Sequence, residues 1–263
     1  MVVRLLLPLV LSIQTLSAQY EFETIPEMNL KAKKKLVAYL NNKLDRLAPE
    51  VPTEENKQIF ESYKINEKST WARNWTKDLD FSGVAWDKPQ CGTLISRQHI
   101  VFATHYPRAK GPICFHDRNG QPVKRNLIAT APIGRGAFPD VTVGLLDEPV
   151  PKSVTHYKIL PAGFDYTALY GAKVIVTSNK RKVLLFEAYN TKDSPVPPHY
   201  GKFGSRQGFT TPIDRSWQEN LVAGDSGHPT FLLVDGKLIL LSTTTGGGLG
   251  GSGPFFGSLP IQK

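Results

Sequence analysis

Two textures divide the chain. In "NLKAKKKLVAYLNNKLDRL", Leu30, Leu36, Val37, Leu40, Leu44 and Leu47 fall near one face of a helix, with lysines elsewhere. "APEVP" stops that helix. "TEENKQIFESYKI" predicts a second, with Thr53 as N-cap and Glu54 and Glu55 in the first turn. Residues 19 to about 65 are therefore expected to form two short helices joined by a proline-rich turn. From about Asp78 the pattern changes. Short runs of Val, Ile, Leu, Thr and Phe alternate with Gly, Pro, Asn and Asp. Strands are predicted at "SGVAW", "GTLIS", "HIVFA", "PICFH", "VTVGLL", "AKVIVTS", "KVLLFEAY", "PTFLLV" and "KLILLST". "FLLVDGKLIL" predicts a hairpin, because Asp235-Gly236 suits a type I′ turn between two apolar runs. "KDSPVPPHYGKFGSRQGFTTPID" reads as a loop upstream of Ser226, where loops often shape a binding cleft. Many short strands with turns between them mean a sandwich or barrels. No long helix interrupts them, which argues against a parallel α/β sheet.

Composition narrows the class. At 263 residues the chain suffices for one large all-β unit or two small domains. Hydrophobic content of 40% with 21% charged residues fits a soluble globular protein and argues against overall disorder. The net charge of +9 includes the clusters "KAKKK" (Lys31 to Lys35) and "NKRK" (Asn179 to Lys182). A basic protein raises nucleic acid as a partner. Here no nucleic-acid motif occurs and the aromatics are not interleaved with the basic runs. We read a solvated basic surface and expect no nucleic-acid partner.

The first residues read as an address. "MVVRLLLPLVLSIQTLSAQ" has Arg4, an apolar run, then small residues ending at Ala18. That is the layout of a secretory signal, here residues 1–18, cleaved after Ala18; an uncleaved anchor is the alternative. The apolar run is short for a bilayer span, and no stable membrane insertion is expected. The mature protein is expected to be secreted or periplasmic. Export makes a bridge between Cys91 and Cys114 the expectation, with two buried free thiols as the alternative. Closing that loop would add roughly 3 kcal/mol.

"NLVAGDSGHPTF" raises the question of chemistry. Ser226 lies between two glycines, and Gly-Asp-Ser-Gly is also ordinary turn chemistry. A reactive serine needs a base, and the base an orienting partner. His105 ends "CGTLISRQHIVFATH", just past a predicted strand. Asp140 heads "DVTVGLL", where burial is plausible; a triad aspartate must be buried and accept the imidazole N–H. Asp147, beside Glu148 and Pro149, reads as exposed.

At these residues the chain resembles the trypsin-like (chymotrypsin-fold) serine proteases. "CGTLISRQHIVFATHY" resembles that family's histidine segment, "DVTVGLL" its aspartate strand and "AGDSGHP" its serine segment. The order His105, Asp140, Ser226 is the family order and differs from that of subtilisins and α/β-hydrolases. The resemblance covers about residue 78 to the end. It implies an all-β fold of two six-stranded antiparallel Greek-key barrels, with a helical extension or pro-segment over residues 19–77. The protease domain would span 78–263, its first barrel about 78–150 and its second about 151–263. It implies a serine endopeptidase with a polypeptide substrate, no cofactor and no metal. The backbone N–H groups of Gly224 and Ser226 would form the oxyanion hole. Asn220 would sit at the base of the primary pocket, with Thr244 and Gly246 on the opposite wall. An uncharged pocket base predicts no strong preference for Arg or Lys.

The chain departs from the family pattern in places. His228 stands where a second glycine is usual, and Tyr106 where a cysteine often follows the histidine. The usual activation sequence is missing, and the given sequence reaches "GSGPFFGSLPIQK" without the family's C-terminal helix, so either the sequence is truncated or the helix is absent. Asp225 is therefore expected to be satisfied internally rather than by an amine freed at Ile65. The alternative functions are a weak or inactive homologue that binds peptides or partner proteins, and an all-β adhesion or carbohydrate-binding module.

Overall fold

The computed structural model describes residues 25–135, 138–161, 163–189, 200–204, 215–249 and 251–256. The predicted signal and His199 lie outside them. The first element is one long helix, α1 (Ile25–Asp45). Leu40 and Leu44 on its apolar stripe are buried, while Leu36 and Val37 are partly covered. Leu30 stays in solvent, so the buried stripe begins later than the sequence pattern suggests. Asn41 docks the helix against a strand that follows Gly171. Its side-chain amide donates to the Gly171 carbonyl at 3.0 Å and its oxygen accepts from the Lys173 N–H at 2.7 Å.

The second predicted helix is only one turn, α2 (Glu54–Lys57), capped by Thr53, whose hydroxyl accepts from the Asn56 N–H. The chain then turns extended, because longer-range partners outcompete the local pattern. The Ile59 N–H donates to the Arg181 carbonyl at 3.0 Å, and β1 (Phe60–Ser62) pairs with β2 (Thr70–Trp71). Phe60 stacks on Trp71 with ring centroids 4.3 Å apart.

The next six strands are β3 (Val84–Ala85), β4 (Gly92–Leu94), β5 (His99–Phe102), β6 (Gly111–His116), β7 (Pro122–Arg135) and β8 (Phe138–Leu146). They form an antiparallel sheet in the order β3-β4-β5-β8-β7-β6. The two edge strands, β3 and β6, come into contact, so the sheet curls into a nearly closed six-stranded barrel. Leu94, Ile100, Phe102, Ile113, Phe115 and Leu127 fill it. The long strand β7 has no counterpart among the predicted strands. Most of its side chains face solvent, Ile128 among them, so it carries no period-2 apolar signal.

The remaining strands are β9 (Lys158–Ile159), β10 (Lys173–Thr177), β11 (Val183–Tyr189), β12 (Tyr200–Gly204), β13 (Asn220–Leu221), β14 (Pro229–Val234), β15 (Lys237–Thr243), β16 (Gly248–Leu249) and β17 (Ser252–Pro254). Seven of them make a second sheet in the order β17-β12-β11-β10-β14-β15-β9, antiparallel except for β9 beside β15. A bridge between Ser242 and Phe255 ties the segment just after β17 back to β15. The β14–β15 hairpin turns at Asp235 (φ 49°) and Gly236 (φ 74°), the two positive φ angles that a type I′ turn requires. β12 lies inside the stretch expected to be loop. Its glycines and lysine carry no alternation, and main-chain pairing to β11 and β17 makes it a strand.

The barrel and the second sheet share one core. Val84, Trp86, Val101 and Val141 from the barrel pack in the same cluster as Ile175, Leu185, Phe231 and Leu240 from the second sheet. Phe231 contacts Phe81 and Tyr157, with ring centroids 6.1 and 4.6 Å away. This packing fixes the barrel's β5 end against the turn that precedes β14.

Candidate active site

His105 follows β5 by three residues, and Asp140 lies near the start of β8, the neighbour of β5. In that ladder Phe102 is opposite Thr142, so the antiparallel register brings Asp140 level with Thr104 and next to His105. The Thr104 and Thr142 hydroxyls hydrogen-bond across the gap at 2.9 Å. Asp140 is buried, and its two oxygens hold His105 in two ways. Oδ1 accepts from the His105 backbone N–H at 2.8 Å, and Oδ2 lies 2.5 Å from the ring Nδ1. The other ring nitrogen, Nε2, is 2.9 Å from Ser226 Oγ. With Asp140 ionised, Nδ1 carries the proton, and Nε2 presents its lone pair to the serine hydroxyl. Three residues distant in sequence thus form one continuous chain of hydrogen bonds.

Ser226 sits in a tight turn between β13 and β14. The Asp225 N–H donates to Val222 O, the Gly227 N–H to Thr244 O at 2.7 Å, and the His228 N–H to Asp225 O. The N–H groups of Gly224, just before this run, and of Ser226, within it, have no acceptor among the described residues. Glycine is required on both sides of the serine pair. Gly224 has φ +100°, and a Cβ there would lie 2.5 Å from Asn179 Nδ2. Gly227 has φ +85° and presses on the barrel, where a Cβ would lie 3.3 Å from the Ala103 N and 3.4 Å from the Cys91 O.

Asp225 is satisfied internally, as expected. Its carboxylate accepts from the Asn179 N–H at 2.8 Å and the Val222 N–H at 2.7 Å, while Ile65 is exposed in a turn. Neither donor was legible in the sequence, since a backbone amide leaves no residue-type signal. His228 lies fully buried against the Trp86 ring, centroids 5.6 Å apart, beneath the turn. Burial lowers its pKa to about 3, offset only in part by the Pro89 backbone, so it is neutral.

The expected bridge between the two cysteines is not formed: Cys91 and Cys114 are both free and buried. A buried ion pair lies between their segments. Arg108 Nη2 bonds Asp87 Oδ2 at 2.6 Å, and the same guanidinium reaches Gln90 O beside Cys91 and Pro112 O on the strand of Cys114. Asp87 Oδ2 also accepts from the Cys114 N–H. Burial pushes the Cys91 thiol up to about 12 and raises Cys114 as well, so both are held as inert neutral thiols.

The residues expected to line the pocket fall around the same turn. Thr244 is buried and hydrogen-bonded to it twice, accepting from the Gly227 N–H and donating its own N–H to the His228 carbonyl. Gly246 bridges to Ser252, and Asn220 is exposed on β13, paired with β16 just beyond Gly246. Glu219, next to Asn220, is committed elsewhere. It binds Lys182 at 2.8 Å and Lys57 at 3.2 Å, and both lysines also bind Glu54. The two ammonium groups lower the pKa of Glu219 against its burial and hold Glu54 near 2.

Among the described residues no cluster of His, Cys, Asp and Glu side chains is placed to hold a metal ion, and no helix is long and apolar enough to cross a membrane. No family model and no curated protein matches the chain.

Proposed function

We propose that this protein is a serine endopeptidase of the trypsin-like kind. The observation that carries the reading is the continuous Asp140–His105–Ser226 hydrogen-bond chain, beside the backbone N–H groups of Gly224 and Ser226, which have no acceptor among the described residues. His105 Nε2 takes the Ser226 proton as Oγ bonds to an amide carbonyl carbon of a polypeptide substrate. The carbonyl oxygen becomes an oxyanion, which the Gly224 and Ser226 N–H groups are free to receive. The C–N bond then breaks, His105 protonates the leaving amine, and an acyl-enzyme remains on Ser226. Water then attacks the ester carbon as His105 takes its proton; the C–Oγ bond breaks, His105 gives that proton to Ser226 Oγ, and the new carboxyl terminus of the substrate leaves. Asp140 keeps the imidazole in the Nδ1–H tautomer and stabilises its protonated form.

The two-barrel architecture belongs to the same proposal. The Ser242–Phe255 bridge, which curls the second sheet on itself, supports a second barrel beside the nearly closed first one. Export by residues 1–18 is proposed from the sequence layout alone. The alternative is a weak or inactive homologue that binds peptides or partner proteins; His228, where the family has a second glycine, is buried beneath the turn and does not itself favour that alternative. The test is reaction with a fluorophosphonate probe together with hydrolysis of casein. Ser226→Ala and His105→Ala are each expected to abolish both. Wild-type activity in either variant would refute the assignment.

A further inference from the structure

A second recess lies apart from the triad. It has a volume of about 690 Å³, within the range of small-molecule sites, and none of His105, Asp140 or Ser226 lines it. It opens between the segment after β2, the stretch Thr155–Lys158 and the β14–β15 turn. Its floor is apolar: Ile59, Leu79, Phe81, Tyr157 and Leu238 are all buried.

Its rim is basic. Two of the cations are already neutralised, Arg118 by Asp80 at 2.6 Å and Arg73 by Glu61 at 3.5 Å. Lys77, Lys158 and Lys237 have no ion-pair or hydrogen-bond partner for their ammonium groups among the described residues, and apart from the paired Asp80 the acid among the lining residues is Asp78. A concave low-dielectric wall bearing surplus positive charge concentrates anions. The apolar floor selects for a ligand whose other end is hydrocarbon.

We propose that this recess binds a small amphipathic anion, an apolar chain or ring ending in a carboxylate or phosphate. Lys158 and Lys237 hold the head, and the Leu79–Phe81–Leu238 floor holds the body. The proposal stands independently of the peptidase reading.

The test is calorimetric titration with decanoate and decyl phosphate, with decanol and acetate as controls. At least one anion is expected to bind saturably at one per chain, and the tighter of the two identifies the head group. Decanol and acetate are expected to bind at least tenfold more weakly. The double substitution Lys158→Glu, Lys237→Glu, at exposed positions, is expected to weaken anion binding at least tenfold with an unchanged circular-dichroism spectrum and Tm. Ser226→Ala is expected to leave it unchanged. Absence of saturable binding, equal affinity for decanol, equal affinity in the lysine variant, or loss of binding after fluorophosphonate labelling would each overturn the proposal.

Discussion

Asp140 grips His105 at two points, the backbone N–H at 2.8 Å and the ring Nδ1 at 2.5 Å. A carboxylate that holds both main chain and ring fixes where the imidazole sits and which nitrogen bears its proton. Asp140→Asn offers an amide in the same space, and its NH₂ can donate to Nδ1, which favours the wrong tautomer. The expected outcome is a fall in kcat of roughly 10³–10⁴-fold with little change in KM or fold. Steady-state kinetics with a peptide ester and a thermal melt check it; unchanged kcat would contradict the role.

Gly227→Ala should damage both stability and activity. The position has φ +85°, and its Cβ would press on the barrel at Ala103 and Cys91. The backbone penalty alone is about 1–2 kcal/mol. A lower Tm is expected, with loss of activity as the Ser226 N–H is displaced. An unchanged Tm would show that the turn adapts freely.

His228 gives the protein an acid sensitivity. Its folded-state pKa of about 3 is below its ordinary value of 6.5, so between those pH values the unfolded chain binds the extra proton. Stability from this group is therefore full above about pH 6.5 and is lost as pH falls towards 3, at a slope approaching about 1.4 kcal/mol per pH unit. In His228→Gln that slope should shrink. Urea denaturation at pH 7, 5 and 4 measures it, and equal pH dependence in both proteins would contradict the assignment.

The predicted strands lay where apolar alternation met turn residues, as in β10, β11, β14 and β15, and the I′ hairpin followed from Asp235-Gly236 alone. β7 escaped because its side chains face water, and β12 because main-chain pairing rather than residue type makes it a strand. The helix pattern after Thr53 failed at Gln58, where the chain meets the Lys182 segment far along the sequence. His105, Asp140 and Ser226 were singled out by the order and spacing of three segments taken together, since each local setting alone is ordinary; the structure joins their side chains in one hydrogen-bond chain. The groups that hold Asp225 are amides of Asn179 and Val222, which no residue pattern reports. The cysteine bridge was expected from export and cysteine count alone, and no residue pattern reports how Cys91 and Cys114 are placed in the core, where both are free thiols.

The segment 25–49 is built into the core rather than laid on it. Leu40 and Leu44 are buried, Asn41 bonds the backbone at Gly171 and Lys173, and the Pro49 carbonyl accepts from Trp217 Nε1 at 3.1 Å. Deleting residues 25–49 should lower Tm sharply or abolish soluble expression, because two large side chains and a buried indole lose their partners. N-terminal sequencing of active protein should find these residues attached, and a start at Ile65 would contradict the internal satisfaction of Asp225.

The most direct test of the central claim is covalent. Folded protein is treated with a fluorophosphonate at neutral pH, digested and mapped by mass spectrometry. Labelling of Ser226, in preference to the other serines and lost in His105→Ala, is the predicted result, because only a hydroxyl facing a positioned base reacts. A folded protein whose Ser226 remains unmodified, or is labelled equally without His105, would contradict the account.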